Sequence, residues 1–132
     1  MMKNNMNFIN EYIEDVKRTI PKDLTKNELI TCICLGLGGE AGEILDYLKK
    51  TVYHKHQFNE NELKEEIGDL CWYLFALITS YDFDLLDILN KNVEKRLKRK
   101  QRSFARMKKG SKNREKIKLE IARLYERITN KK

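Results

Sequence analysis

The sequence predicts an all-α protein, and three observations support this prediction. Apolar residues recur at three- and four-residue steps along most of the chain, which is the stripe of an amphipathic helix. No segment shows the sustained alternation of apolar and polar residues that a half-buried strand requires. One proline and six glycines also leave little punctuation for the many turns of an all-β fold.

The first two helices are separated by the chain's one proline. The apolar stripe of the first helix consists of Phe8, Ile9, Tyr12, Ile13, Val16 and Ile20. This helix ends before Pro21, because proline disfavours the helical region for the residue that precedes it. Thr25 stands three residues before Glu28, which is the pattern of a capping box. A second helix therefore opens there, and we expect it to reach about Thr51.

Four glycines, at positions 36, 38, 39 and 42, interrupt the middle of this second helix. Each costs about 1 kcal/mol relative to alanine in a helix interior, so a loop between two shorter helices is the alternative. We favour a continuous helix whose backbone lies close to a packing partner or a ligand, because glycine has no side chain to prevent that approach.

A third helix follows a polar loop at residues 54–59. Asn59 or Asn61 can cap it, and it ends near Ser80. Its apolar face includes Leu63, Ile67, Leu70, Leu74 and Leu77. The run at 70–78 is apolar nearly all round, which is too wide for a lone small bundle and predicts completion of the core by oligomerisation. A membrane helix needs about 20 apolar residues, so no membrane span is expected.

A fourth helix completes the bundle, and a fifth belongs to a basic C-terminal extension. Asp82 or Asp84 caps the fourth helix, and a break at residues 110–111 separates it from the fifth. The stripe of the fifth helix contains Ile117, Ile121, Leu124 and Ile128. We expect a four-helix bundle over residues 1–100 and a basic helical extension over residues 101–132.

The charge of the chain is divided between its two parts. Residues 1–90 contain 9 Lys and Arg against 16 Asp and Glu, a net charge of −7. Residues 91–132 contain 18 Lys and Arg against 4 Asp and Glu, a net charge of +14. This asymmetry predicts an acidic body that binds cations and a basic end that binds anions. Nonspecific contact with nucleic acid is one use of that basic end, and a solvated helix pair is the alternative.

The N-terminal residues have no apolar core of the kind found in secretion signals, so we expect a cytoplasmic protein. Disulfides are rare in that compartment. We therefore expect the three cysteines, Cys32, Cys34 and Cys71, to be free thiols that behave as small buried apolar residues.

Two pairs of acidic residues stand out on neighbouring helices: Glu40 with Glu43, and Glu66 with Asp69. The members of each pair are three residues apart and share a helix face. No Lys or Arg lies four residues after any of them, where an exposed acid often has its partner. Carboxylates of this kind suit a hard cation such as Mg²⁺ or Mn²⁺. Glu65 could replace Glu66 as a ligand, and a solvated helix face is the alternative for both pairs.

Two segments carry a resemblance to a known family. GLGGEAGEILDYLKK at residues 36–50, followed by ELKEEIGDLCWYL at residues 62–74, resembles the MazG-like all-α nucleoside triphosphate pyrophosphohydrolases. The family hallmark, E-x-x-E followed by E-x-x-D, falls on the two acidic pairs, and the resemblance covers roughly residues 5–100. It implies Mg-dependent hydrolysis of nucleoside triphosphates, deoxy or modified ones included, to monophosphate and pyrophosphate. The catalytic and metal-binding residues would be Glu40, Glu43, Glu66 and Asp69.

The same resemblance implies residues that contact the substrate. A later N-x-x-K followed by Arg falls on Asn92, Lys95 and Arg99, although these positions also begin the basic tail. Lys50 is a weaker candidate for phosphate contact. Sites of this family are usually completed by a second subunit, so a homodimer or homotetramer is expected.

Residues 109–132 resemble a helical stretch of TnpB-type transposon-encoded proteins, which are RNA-guided nucleases. That stretch lies far from their catalytic residues, so it implies a fragment or a basic arm and not a nuclease. Two alternatives to the enzyme therefore stand: a helical protein that binds nucleic acid, and an inactive MazG-like protein.

Overall fold

A computed structural model describes residues 2–107 and 110–130 of the chain, with side chains from Asn7 onward. Within these residues the secondary structure consists of helices and contains no strand, which confirms the all-α prediction. None of the described helices is long and apolar enough to cross a membrane. The helices are α1 (Met2–Thr19), α2 (Lys26–Tyr53), α3 (Glu60–Ser80), α4 (Leu85–Arg106) and α5 (Lys112–Thr129).

Polar side chains fix the starts of the helices, as the sequence predicts. The Glu28 N–H donates to Thr25 Oγ1 at 3.4 Å, and the Thr25 N–H donates to Glu28 Oε2 at 2.9 Å, which completes the capping box of α2. Asn59 caps α3 and Asp84 caps α4, so each pair of alternatives is decided. Ser111 caps α5 immediately after the predicted break.

The chain divides into two compact units, Met1–Phe83 and Asp84–Lys132. In the first unit, α1 and α2 both pack against α3. Their shared core contains Val16, Ile20, Ile33 and Ala76, surrounded by half-buried aromatic and leucine side chains. The Tyr12 and Phe75 rings meet edge to face with centroids 5.4 Å apart, which joins α1 to α3. The division into domains at residue 100 stays a prediction.

The glycine-rich segment of α2 is helical throughout, so the continuous-helix interpretation is confirmed. Close approach occurs at Gly36, where an added Cβ would lie 2.1 Å from Tyr73 Cε1 of α3. An added Cβ at Gly38, Gly39 or Gly42 would have nothing within 4 Å. Within one chain, the predicted contact with a packing partner is therefore limited to the first of the four glycines.

The side of α2 that faces away from the core carries large apolar side chains. Leu35, Leu45 and Val52 are 72, 68 and 67% exposed. The prediction that the cysteines are buried is wrong for Cys32 and Cys34, which are free thiols on the exposed surface. They flank Ile33, the buried residue of α2, so the helical rotation between neighbours directs both sulfurs away from α3. Cys71 is half-buried and also free.

In the second unit, α4 and α5 form an antiparallel helical hairpin. Near the turn, Arg114 donates from Nη1 to the Met107 carbonyl at 2.8 Å, and its guanidinium lies 4.1 Å from the Phe104 ring centroid. Farther along, Gln101 contacts Tyr125. Leu97 and Leu124 are the buried residues of the pair. Lys108, Lys109, Lys131 and Lys132 of the predicted basic tail lie outside the described residues.

Candidate functional site

The packing of α2 on α3 brings three predicted metal-ligating residues together. Carboxylate oxygens of Glu40, Glu66 and Asp69 all lie within 4.8 Å of one another. Glu40 and Glu66 are half-buried, and Asp69 is exposed. No described Lys, Arg or His forms an ion pair with any of the three. The cluster therefore concentrates negative charge that none of the described cations neutralises by an ion pair.

The fourth predicted residue, Glu43, lies outside this cluster and is exposed. Its charge nevertheless reaches Glu66. The pKa of Glu66 is raised above its ordinary value, first by desolvation and then by the charges of Glu43, Glu40 and Asp69. Mutual repulsion of this kind is relieved by a bound cation, so the electrostatics suit a divalent metal.

A polar cavity of about 350 Å³ opens beside the carboxylates, between the C-terminal half of α2 and the start of α3. Its lining residues are Glu43, Asp46, Tyr47, Lys50, Thr51, His56, Gln57, Glu62, Glu65 and Glu66. Lys50, a predicted phosphate contact, therefore faces the same space as Glu43 and Glu66. Its ammonium forms an ion pair with Asp46 at 2.6 Å. Hydrogen bonds from Lys49 and Lys50 lower the pKa of Asp46 to about 2.

The loop at residues 54–59 closes one side of this cavity and is anchored to α2. The Tyr47 hydroxyl donates to the Asn59 carbonyl at 2.8 Å, and the Asn59 N–H donates back to that hydroxyl at 2.7 Å. The Phe58 and Tyr47 rings meet edge to face, with centroids 6.2 Å apart. Lys55 adopts a left-handed φ of 56°, which turns the chain after α2.

Sequence reasoning did not select Tyr47, His56 and Gln57 as lining residues of a site. One signal was available for Tyr47, because it lies one helical turn after Glu43 and so shares its face. His56 and Gln57 belong to the loop, and its anchoring depends on a contact between residues 12 apart in sequence. No local pattern reports such a contact.

The other predicted substrate residues lie on α4, in the second unit. Asn92, Lys95 and Arg99 are exposed. Lys95 and Arg99 line a cavity of about 480 Å³ together with Lys91, Glu94, Lys98 and Arg102. Among the described residues, neither Lys95 nor Arg99 makes an ion pair. Their role in binding phosphate stays a prediction.

Comparison with known proteins identifies the family. The model of the MazG nucleotide pyrophosphohydrolase domain matches residues 30–104, more than half of the chain. The chain belongs to this family. The matched region contains both acidic pairs and most of α4. The carboxylate cluster and Asn92, Lys95 and Arg99 therefore all lie within the part of the chain that matches the family.

One phage protein also resembles the chain. The chain is 34% identical over 84 residues to the Gene 37 protein of Mycobacterium phage L5, covering 61% of this chain and 74% of the phage protein. No solved structure matches the chain. The MazG match ends at residue 104, and the resemblance of residues 109–132 to TnpB-type proteins finds no support in these comparisons.

Proposed function

We propose that this MazG-family chain hydrolyses nucleoside triphosphates between the α and β phosphorus atoms, releasing the monophosphate and pyrophosphate. Deoxynucleoside or modified triphosphates are the proposed substrates. The observation that carries this proposal is the cluster of Glu40, Glu66 and Asp69 oxygens within 4.8 Å, inside the region that matches the family. A cytoplasmic location, where nucleoside triphosphates are found, fits this activity.

The donor set fits Mg²⁺, with Mn²⁺ as a substitute. Carboxylate oxygens are the ligands that these hard cations prefer. We propose that Glu40, Glu66 and Asp69, with Glu43 beside them, hold the metal. A triphosphate is itself strongly anionic, so this acidic site would repel it without a cation. When bound, Mg²⁺ supplies Lewis acidity toward phosphate oxygens and water.

The chain's own residues supply proton transfer and orientation. Glu43 lies outside the cluster but lines the same cavity as Glu66, so its carboxylate oxygens can accept the proton of the attacking water. Lys50 in that cavity can donate a hydrogen bond to a phosphate oxygen once its ion pair with Asp46 is broken. Asn92, Lys95 and Arg99 are proposed as further phosphate contacts because they match the family motif.

We also propose that the enzyme is a homodimer or homotetramer. The outer side of α2 exposes Leu35, Leu45 and Val52, and α3 exposes Ile67 and Leu74 at 45 and 44%. Exposed apolar residues concentrated on particular helix faces are typical of protein–protein contacts. A second copy would bury these faces, and it would also cover the open glycines of α2.

A substrate panel tests the proposed reaction. The full chain is incubated with canonical and modified nucleoside triphosphates and Mg²⁺, and monophosphate and pyrophosphate are measured. We expect equal amounts of the two products, and at least about a 100-fold loss of rate in Asp69→Asn and Glu66→Gln, since even outer-shell changes at metal sites cost 10–100-fold. Glu14→Gln, an exposed acid on α1, is the matched control.

Several outcomes would count against the proposal. Release of orthophosphate would indicate a different reaction. Activity that survives both substitutions would reject the site. Absence of turnover on the whole panel would favour an inactive MazG-like protein.

A second experiment separates two roles for Glu43. If it accepts the proton, Glu43→Gln lowers kcat and leaves the Mg²⁺ concentration for half-maximal rate unchanged. If it is a ligand instead, that Mg²⁺ concentration rises and high Mg²⁺ restores part of the rate. Glu62→Gln, which removes a carboxylate from the same cavity lining, controls for the loss of charge.

A further inference from the structure

The second unit contains a basic groove that the proposed hydrolysis does not use. It lies between α4 and α5, and has a volume of about 240 Å³. Its lining residues are Arg96, Lys100, Glu120, Arg123, Leu124 and Arg127. None of its residues lines the α4 cavity that holds Lys95 and Arg99, and none belongs to the acidic site. We propose that this groove binds the phosphate backbone of a nucleic acid.

The groove keeps an excess of positive charge that the described chain does not neutralise. Glu120, its one acid, is already in an ion pair with Lys100. Arg96, Arg123 and Arg127 have no ion pair or side-chain hydrogen bond among the described residues. Three guanidinium groups are therefore available to an anion that enters the groove.

The arrangement of these arginines suits a repeating anion. Arg123 and Arg127 are four residues apart on α5, which places them about 6 Å apart along the helix axis. One nucleic-acid strand advances about 3.4 Å per phosphate, so this pair spans about two nucleotides. Arginine presents a planar fork that donates two hydrogen bonds to one phosphate. The two helices hold that pair opposite Arg96, so cations line both sides of the groove.

Like charges four residues apart destabilise a helix, so the Arg123 and Arg127 pair costs stability in the unbound chain. A bound polyanion reverses this cost. Binding should therefore raise the melting temperature of the protein, as expected for any ligand that prefers the folded state.

The groove favours nucleic acid over an anionic membrane. A helix that lies on a membrane inserts exposed apolar residues between its charges. The apolar lining residue of the groove, Leu124, is only 8% exposed and packs within the hairpin. The hairpin offers few aromatic faces to bases, because the guanidinium of Arg114 covers Phe104 and leaves Tyr125, which is 50% exposed, as the one open ring of the described hairpin. Binding should therefore depend on the backbone and be independent of sequence.

A pair of matched double variants tests the proposal. Arg123→Gln with Arg127→Gln removes two groove cations, while Arg106→Gln with Lys118→Gln removes two exposed cations outside the groove. Arg106 lies in the last turn of α4 and Arg127 in the last turn of α5. Each variant therefore loses one favourable interaction between a cation and a helix C-terminus, so the two are matched in this respect. Circular dichroism checks that both variants keep the helical content of the parent chain.

Fluorescence anisotropy then measures binding to a labelled 20-nucleotide single strand and to a 20-base-pair duplex, from 50 to 200 mM salt. Each phosphate contact contributes about 0.7 to the salt slope on single strands and about 0.9 on duplex. The groove variant should lose about 1.4 from the slope on single strands, or about 25-fold in affinity at 0.1 M salt. On duplex the loss should be about 1.8, or about 60-fold. The strand type with the larger affinity identifies the preferred form.

The proposal expects the control variant to keep most of the slope and both variants to release pyrophosphate at the parental rate. Equal losses of affinity in the two variants would show that net charge alone attracts the polymer, and would overturn the groove assignment. The assignment would also be overturned if the parent chain bound neither nucleic acid at 50 mM salt, or if it bound polyglutamate as tightly as nucleic acid. Binding confined to vesicles containing phosphatidylserine would assign the groove to membranes. Loss of hydrolysis in the groove variant alone would assign it to the nucleotide substrate.

Discussion

Replacing Gly36 with alanine tests the packing of α2 on α3 directly. The new Cβ would lie 2.1 Å from Tyr73 Cε1, whereas ordinary contacts begin at 3.4 Å. The ring must therefore move by at least about 1.3 Å, the difference between these distances. Tyr73 is not free to do so without cost, because it meets the Trp72 ring edge to face at 5.0 Å. Overpacking of this kind costs about 1–3 kcal/mol.

Helix propensity acts in the opposite direction and must be separated from that cost. Alanine is favoured over glycine by about 1 kcal/mol in a helix interior. Gly36→Ala should therefore lower the free energy of unfolding by about 0–2 kcal/mol. Gly39→Ala, with nothing within 4 Å of the new Cβ, should raise it by about 1 kcal/mol. The difference between the two variants, about 1–3 kcal/mol, cancels the propensity and reports the Tyr73 contact alone.

Urea denaturation followed by circular dichroism gives both free energies of unfolding from midpoints and slopes. Sedimentation velocity on each variant ensures that the same assembly is compared. The reasoning is refuted if Gly36→Ala equals or exceeds Gly39→Ala in stability while slopes and assembly are unchanged, because the ring would then impose no constraint at position 36.

Three further predictions concern charge, backbone and assembly. The folded-state pKa of Asp46 is about 2 against an ordinary 3.8, so the stability that its ionised carboxylate contributes is complete above pH 4 and is lost as the pH falls toward 2. Asp46→Asn should therefore lower the urea midpoint at pH 7, and the difference between variant and parent should disappear as the pH falls toward 2. Lys55→Gly should raise the free energy of unfolding by about 1 kcal/mol, because the left-handed φ of 56° strains any other residue, and Lys55→Ala should not. Leu45→Glu should shift the sedimentation coefficient to that of a monomer, and a parent chain that already sediments as a monomer would contradict the proposed assembly.

Local signals predicted the helices well because each boundary is set by residues close in sequence. Thr25 and Glu28 satisfy each other's backbone within one turn. Asn59 and Asp84 cap their helices through bonds to N–H groups two residues on. Such contacts can be recognised from spacing alone, so the positions of the caps follow from the sequence.

Burial was harder to predict because it depends on which face of a helix finds a partner. The cysteines of α2 were expected to be buried, but only one side of α2 packs against the described residues, as the buried Ile33 shows beside the exposed Cys32 and Cys34. The sequence contains apolar residues on several faces and does not state which of them the chain covers itself. The apolar residues left exposed are the ones on which the proposed assembly rests.

The site was predictable as a pair of helix faces but not as a geometry. Spacing of three placed Glu66 and Asp69 on one face, and the structure brings that face to Glu40 within 4.8 Å. Separation of Glu43 from that cluster depends on the register between two helices. The anchoring of the neighbouring loop by Tyr47 depends on a contact across 12 residues. Neither is encoded in a local pattern.

The acidic cluster and the core make opposite demands on the same helices. Val16, Ile33 and Ala76 hold α1 and α2 against α3 by apolar burial, and the packing of α2 on α3 brings the carboxylates of Glu40 and Glu66 together. Desolvation and repulsion raise the pKa of Glu66, which means that the folded chain tolerates its charge less readily than the unfolded chain does. The proposed cation, if it binds only when the helices are packed, would reverse this penalty and stabilise the fold through mass action. The cost of this concentrated negative charge and the proposed affinity for metal therefore have one origin, because both follow from the packing of α2 on α3.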